Sequence, residues 1–396
     1  MWGPLYRCGP RGLCRGATLT LVFTGVLAAG AATGSLPRDE TARAADSEAR
    51  PSAFSLAPVD GRELAAAAAG AAADGKSATQ AAEEFVSRSG DRWGAVYDER
   101  EYEEFEQALD GSYTGVGLSA RRTADGRVRV ARVEPGGPAD RAGVRADDVL
   151  TSVDGARTSG RPVAEVVARL RGDGTGERAG SAVVLGLERD GHARTRIVRR
   201  ARLSTEAVTV RRVGSGSTPT VLIKATAFTR GAGGEIRDAV RSAPGDAGIL
   251  LDLRANSGGL VGEAVTAASA FLDGGLVATY DVHGEQRALY AEAGGDTSRP
   301  LVVLVDGGTM SAAELLTGAL QDRGRAVTVG SPTFGKGAVQ MPSELPDGAV
   351  AELTVGQYRT PGGRGVEGAG ITPDLVVGSQ ALERAETVLS GLGGGS

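Results

Sequence analysis

Lysine is rare in this chain and arginine is not. Of its 44 basic residues only Lys76, Lys224 and Lys336 are lysines. Arginine keeps its proton in essentially every protein environment, whereas a desolvated lysine can become a neutral base near pH 7. A lysine retained among so many arginines therefore points to a removable proton. Lys336 lies in the glycine-rich bend Gly330-Ser-Pro-Thr-Phe-Gly-Lys-Gly-Ala-Val-Gln340, and Ser311 stands 25 residues earlier, after the run Leu301-Val-Val-Leu-Val305. A serine nucleophile with a lysine base is enough for hydrolysis of an acyl bond.

Each of these residues also has a plain structural use. Ser311 with Glu314 spells a capping box, Ser-x-x-Glu before an apolar run, so the serine could do no more than start a helix. The same geometry serves catalysis: a hydroxyl at a helix N-terminus sits beside free N–H donors, Ala312 N–H nearest, at the positive end of the dipole. One such donor to an oxyanion is worth ~3 kcal/mol of barrier. A second could come from Gly258 or Gly259, unless those glycines only shape a strand-to-helix turn. The two histidines, His192 and His283, read as solvated, which argues against a Ser-His-Asp triad. A lysine base must be desolvated, since its ordinary pKa is ~10.4. Phe334 and Val339 offer apolar surroundings, and Gln340 could orient the amine without adding charge. Gly330-x-x-x-x-Gly335-Lys336 also imitates a phosphate loop, but Gly337 stands where Ser or Thr should hold magnesium, and a strand follows instead of a helix. Nucleotide binding is excluded on that ground.

The elements that must position these groups follow from the order of the chain. Its 396 residues exceed one ordinary core. With 41% hydrophobic and 4% aromatic residues, the core must be built from Val, Leu, Ala and Ile. Residues 1–35 carry Arg7, Arg11 and Arg15 ahead of an uncharged apolar run, and read as a signal peptide or N-terminal membrane anchor. The remaining chain then holds a formal charge of −8, which disfavours nucleic acid as a partner. Both cysteines, Cys8 and Cys14, precede the apolar run, so the exported part has no thiol for a disulfide, a nucleophile or a thiolate metal site. Residues 36–60 read as a linker. Residues 61–111 read as a helical cap, with a Tyr102, Phe105, Leu109 stripe that could serve homo-oligomerisation. Strands then dominate to residue 205, and strand–helix alternation from 206 to 380 predicts an α/β layered domain. Residues 381–396 read as a C-terminal tail.

Two stretches resemble known families. Glu134-Pro-Gly-Gly-Pro-Ala, the Gly-Val-x-x-x-Asp-x-Leu run and the Val-Asp-Gly155 turn resemble a PDZ domain over residues 112–205. The resemblance implies peptide binding at Gly115, Val116, Gly117 and Leu118, where successive backbone N–H groups would hold a carboxylate and the adjacent strand edge an extended peptide. A glycine-rich turn opening a strand is the simpler use of the same residues. Further on, Val-Leu-Val-Asp-Gly-Gly-Thr-Met-Ser311-Ala-Ala-Glu-Leu, Ser-Pro-Thr-Phe-Gly-Lys336-Gly-Ala-Val-Gln340, Asp-Leu-Arg-Ala-Asn-Ser-Gly-Gly259-Leu and Gly-Arg-Gly-Val-Glu-Gly-Ala-Gly-Ile-Thr-Pro-Asp374 resemble the carboxy-terminal processing proteases, the S41 peptidase family. The order of PDZ region and protease region is also that family's.

This resemblance implies an α/β multidomain chain with an N-terminal helical cap, a PDZ-like β-rich domain and a crotonase-like α/β protease core. It implies a Ser–Lys dyad of Ser311 and Lys336 assisted by Gln340, with a PDZ domain that recruits substrate C-termini and gates the site. The chain departs from the family's usual residues at Thr309, Met310, Ala313 and Ser257, and Met310 bears on cleavage preference. The expectation is an exported serine endopeptidase, extracytoplasmic and either secreted or membrane-anchored, acting on proteins or peptides with exposed C-termini. Donors near Gly258, Gly259 and Ala312 would hold the oxyanion, and no cofactor or metal is implied. The alternative is a non-catalytic PDZ adaptor on an inactive protease scaffold.

Overall fold

The computed structural model describes residues 61–172, 178–213, 219–282 and 285–393. The expected targeting segment, the linker and His283 lie outside the described residues. The chain divides into two compact units, one containing residues 110–206 and the other residues 61–109 together with 207–396.

The first unit carries the region expected to resemble a PDZ domain. Its main sheet runs Leu118–Arg122, Val128–Val133, Val149–Val153, Ala182–Arg189, His192–Arg199, all antiparallel neighbours, with Ala156–Arg157 beside Val149–Val153. The short helix Pro138–Arg141 begins with proline, whose fixed φ and missing N–H suit a first turn. The helix Val163–Arg171 buries Val166 and Leu170 among Val130, Leu150, Val183 and Leu185. Arg200, wholly buried, donates to the carbonyls of Leu170 and Arg169 and so ties the end of that helix to the sheet. Leu118–Arg122 is an edge strand.

The second unit joins the cap to the α/β core. Its principal sheet runs Val208–Val213, Thr220–Ala225, Gly248–Asp252, Leu301–Val305, Val327–Gly330, Leu375–Val376; only the first pair is antiparallel. Gly248–Asp252 and Leu301–Val305 are buried throughout, which is why they read as unbroken apolar runs and not as alternating strands. Helices Ala232–Ser242, Val261–Ser269 and Ala312–Asp322 pack into the same core. Among the described residues Phe228 and Phe271 are the only phenylalanines or tryptophans in that buried core, the rest being mainly Val, Leu, Ile and Ala, as the composition requires.

Two expectations change here. The cap is not purely helical. Gly61–Ala73 and Ala78–Ser89 are helices, Ser77 capping the second through Gln80 N–H at 3.1 Å, but Ala95–Tyr97 is a strand paired with Val350–Glu352. Leu64, Ala68, Ala82 and Val86 bury against Leu345, Ala349, Ala351 and Leu353 of the hairpin formed by Ala338–Glu344 and Val350–Arg359. Alanine-rich sequence gave helix propensity but no hint of this pairing. The stripe on helix Glu99–Leu109 also finds an internal partner: Phe105 stacks on Tyr97 with centroids 5.3 Å apart. The second correction is the tail. Ala381–Gly393 forms a helix whose Ala381, Ala385 and Leu389 bury against Leu250, Val302 and Leu304. Glycine at 391 and beyond hid an apolar spacing of four.

Candidate active site

Ser311 sits where the buried strand Leu301–Val305 turns into helix Ala312–Asp322. Its backbone adopts φ 53° and ψ −119°, a region that L-residues avoid and that functional sites over-determine. Three contacts fix it. Met310 N–H donates to Asn256 O at 2.9 Å, Ser311 N–H to the Glu314 carboxylate at 2.8 Å, and the Tyr358 hydroxyl to Ser311 O at 3.0 Å. The Ser-x-x-Glu box is present: the Glu314 carboxylate takes the Ser311 N–H, and Glu314 N–H also reaches the Ser311 carbonyl at 2.8 Å.

Lys336 sits in a loop whose N–H groups are all bound from Thr333 to Gly337. Thr333 N–H goes to Ile371 O, Phe334 N–H to Thr309 O, Gly335 and Lys336 N–H to Glu314, and Gly337 N–H to Glu367. Glu314 is wholly buried and receives four donors: the N–H groups of Ser311, Gly335 and Lys336, and the Thr333 hydroxyl at 2.6 Å. One carboxylate thus holds the backbones of Ser311 and Lys336 together. Charge-assisted hydrogen bonds of this kind are the strong ones, and four of them offset the cost of burying the charge.

The Lys336 amine donates to Gln340 Oε1 at 2.7 Å, and Gln340 Nε2 donates to Trp93 O at 2.7 Å. Burial pushes the Lys336 amine below its ordinary value, while Glu352, Glu367 and Asp91 act in the opposite sense. Burial prevails, the direction a base requires. The other lysines differ. Lys76 is exposed, and Lys224 lies 3.9 Å from Asp252 in an ion pair.

The glycine loop after Gly248–Asp252 approaches the serine. A Cβ on Gly258 would fall 2.9 Å from Ser311 Cβ, and its φ of 90° also favours glycine. The Gly258 N–H is already bound to Asn256 Oδ1 at 2.9 Å. No hydrogen bond from Gly259 N–H or Ala312 N–H is found among the described residues. Asn256 itself is wholly buried, donating to Ala225 O at 3.1 Å and accepting from Met310 N–H, so it couples two strands to the serine turn.

In the other unit, the carbonyls of Val116 and Gly117 accept from Ala139 and Glu134 at 2.8 and 2.9 Å. Gly117 has φ 72°, and no hydrogen bond from the N–H of Val116 or Gly117 is found among the described residues. Leu118 opens the edge strand. His192 is exposed, its Nδ1 2.8 Å from Asp190 O, and belongs to this unit.

The structure brings Ser311, Lys336, Gln340, Gly258 and Ala312 into one unit and adds four residues that sequence reasoning did not assign to the site. Glu314 had appeared only as a capping partner. Asn256 and Glu367 stood inside quoted motifs without a role. Trp93 went unnoticed, although it is one of two tryptophans in an aromatic-poor chain, a rarity comparable to that of lysine.

Comparison with known proteins gives the family of each unit. Residues 220–377 match peptidase family S41 and residues 129–179 match the PDZ domain. The carboxyl-terminal-processing peptidase 2, chloroplastic, of Arabidopsis thaliana is 35% identical over 288 residues, covering 69% of this chain and 55% of that protein. A probable CtpA-like serine protease of Staphylococcus saprophyticus is 29% identical over 319 residues, covering 79% and 63%. The chain thus spans little more than half the length of these curated relatives. The solved photosystem II D1 C-terminal processing protease is 30% identical with a TM-score of 0.50, covering 80% of this chain and 86% of that one.

Proposed function

We propose that this chain, which belongs to the carboxy-terminal processing proteases of peptidase family S41, is an exported serine endopeptidase that cuts proteins near exposed C-terminal tails. The observation that carries the reading is the tethering of Ser311 and Lys336 by one buried carboxylate, with the lysine amine desolvated and held by Gln340.

In this reading Ser311 Oγ attacks the scissile carbonyl carbon while Lys336, neutral, accepts the hydroxyl proton. The tetrahedral oxyanion is held by the N–H groups of Gly259 and Ala312; Gly258 packs the loop against Ser311 and is a donor only once its N–H leaves Asn256. Lys336 then gives its proton to the leaving amine, and water repeats the sequence on the acyl-enzyme. The strained backbone of Ser311 resembles the strand-to-helix elbow that presents nucleophiles in other hydrolases. Substrate tails are recruited at Val116, Gly117 and the edge of Leu118–Arg122, where unpaired N–H groups suit a carboxylate and an open edge suits an added strand. Residues 1–35 supply the export signal.

The test is cleavage of an unfolded protein with an apolar C-terminus by the full chain, Ser311→Ala and Lys336→Arg, each checked by circular dichroism. The parent cuts and both variants do not. Loss in Lys336→Arg shows that a removable proton, and not positive charge alone, is required. A parent that binds C-terminal peptides but cuts nothing would leave the adaptor reading instead.

A further inference from the structure

We infer that Trp93, in the turn leading from the cap helices to the strand Ala95–Tyr97, is a positioning residue for Lys336: its carbonyl sets the orientation of Gln340 and its indole keeps water from the lysine amine. The inference rests on the dyad reading above. It gives the cap a role in the chemistry, since the turn it delivers completes the surroundings of the base.

The carbonyl does the first task. Trp93 O receives Gln340 Nε2 at 2.7 Å, so the opposite end of the amide, Oε1, faces Lys336 Nζ at 2.7 Å. A flipped amide would turn its NH2 to the amine, repelling an ammonium and occupying the lone pair that a neutral base needs. The indole does the second. Its ring centroid lies 5.0 Å from Lys336 Nζ and 5.9 Å from the ring of Phe334, which the same loop carries.

Both tasks need a fixed tryptophan, and the turn is pinned at each end. Trp93 N–H and Gly94 N–H donate to Asp91 Oδ1 at 3.1 and 3.0 Å, and Asp91 takes Thr354 N–H and the Thr354 hydroxyl at 2.8 Å each. The indole Nε1 donates to Glu367 Oε1 at 3.0 Å, while Glu367 Oε2 receives Gly337 N–H at 2.8 Å, one residue beyond the lysine. Arg92 bridges to the same Glu367 at 2.9 Å and lies 4.4 Å from the indole centroid.

The charges around Lys336 are Asp91 from this turn, Glu352 from strand Val350–Arg359 and Glu367 from the loop after it, with Arg92 engaged by Glu367 and Glu314 on the lysine's backbone. The three carboxylates favour an ammonium, and so does an aromatic face. Only dehydration works the other way, and it is the larger effect. Removing the indole admits water and leaves the carboxylates in place, so the lysine holds its proton more tightly.

The chain's scarcity of lysine makes the test direct. The full chain labelled with 13C at lysine Cε carries only Lys76, Lys224 and Lys336, and Lys336→Arg identifies the third signal. In Trp93→Ala that signal titrates at higher pH than in the parent, kcat for cleavage near neutral pH falls about tenfold or more, and KM stays within about twofold. Trp93→Phe, which keeps the carbonyl and an apolar ring, restores the low titration. Circular dichroism reports folding beside the spectrum, and Trp93→Val carries the comparison if Trp93→Ala does not fold. A Lys336 titration unmoved by loss of the indole overturns the inference, whatever the activity. A shifted titration in a parent that cuts no protein upholds the positioning role and removes the protease reading instead.

Discussion

The loop bearing Lys336 and the loop Gly115–Leu118 are both glycine-punctuated turns, yet they spend their backbone differently. From Thr333 to Gly337 every N–H is bound, two of them to Glu314 and one to Glu367. At Val116 and Gly117 the carbonyls are bound inward, and no hydrogen bond from either N–H is found among the described residues. A catalytic base must arrive at one place and stay there, because misplacement by about 1 Å can cost roughly 10²-fold. A receptor for a peptide terminus must instead keep donors for its ligand. The N–H side of the first loop is closed and that of the second is open, the difference expected if the proposed roles of holding a base and taking a peptide terminus are right.

Mutations can break this contrast from its rigid side. Ser311→Ala and Lys336→Arg should reduce kcat/KM by at least about 10³-fold with the fold intact, read by protein cleavage and circular dichroism. Glu314→Ala strips the acceptor from four donors, so both the fold and the chemistry should suffer. We expect a loss of about 3 kcal/mol or more in urea unfolding, with kcat down roughly 10²-fold in whatever remains folded. An unchanged Glu314→Ala would mean that the shared carboxylate positions nothing.

The receptor side should fail in another way. Gly117→Ala forces a side chain into φ 72° and should weaken binding of C-terminal peptides about tenfold. The effect belongs in KM for long substrates and should vanish for short peptides that do not engage the loop. A fall in kcat for both would erase the distinction between the two loops. The smallest effect concerns the charge around the base. Glu352 is the largest of the carboxylates that favour protonated Lys336. Glu352→Gln therefore lowers the lysine further, and the acid limb of the pH–kcat/KM profile moves to lower pH. Activity at mildly acidic pH rises while the plateau is unaltered.

Much of this was legible in the chain itself. Ser311 and Lys336 stood out by type and setting, the first after an unbroken apolar strand and the second as a lysine among arginines. The buried strands Gly248–Asp252 and Leu301–Val305, the helix Val163–Arg171 and the hairpin at Pro346-Asp-Gly348 follow local periodicity and turn chemistry, which neighbouring residues decide. The strand Ala95–Tyr97 did not announce itself, because three residues carry too little pattern and its pairing partner lies about 250 positions away. The helix Ala381–Gly393 was masked by glycines that would weaken it in isolation, and burial against the sheet outweighs that cost.

The sequence alone determined which groups are present: a serine on a strand-to-helix turn, one lysine in a bend, a glutamine four residues on, and a PDZ-like region rich in turn glycines. Tertiary structure decided what those groups do. It turned a capping glutamate into the joint between Ser311 and the Lys336 loop, since its four donors come from residues 311 to 336. It also brought Trp93 to a glutamine 247 positions away. Hydrogen bonds over such separations leave no periodic trace in a chain, because they depend on where the sheets place loop ends and not on what stands beside each residue.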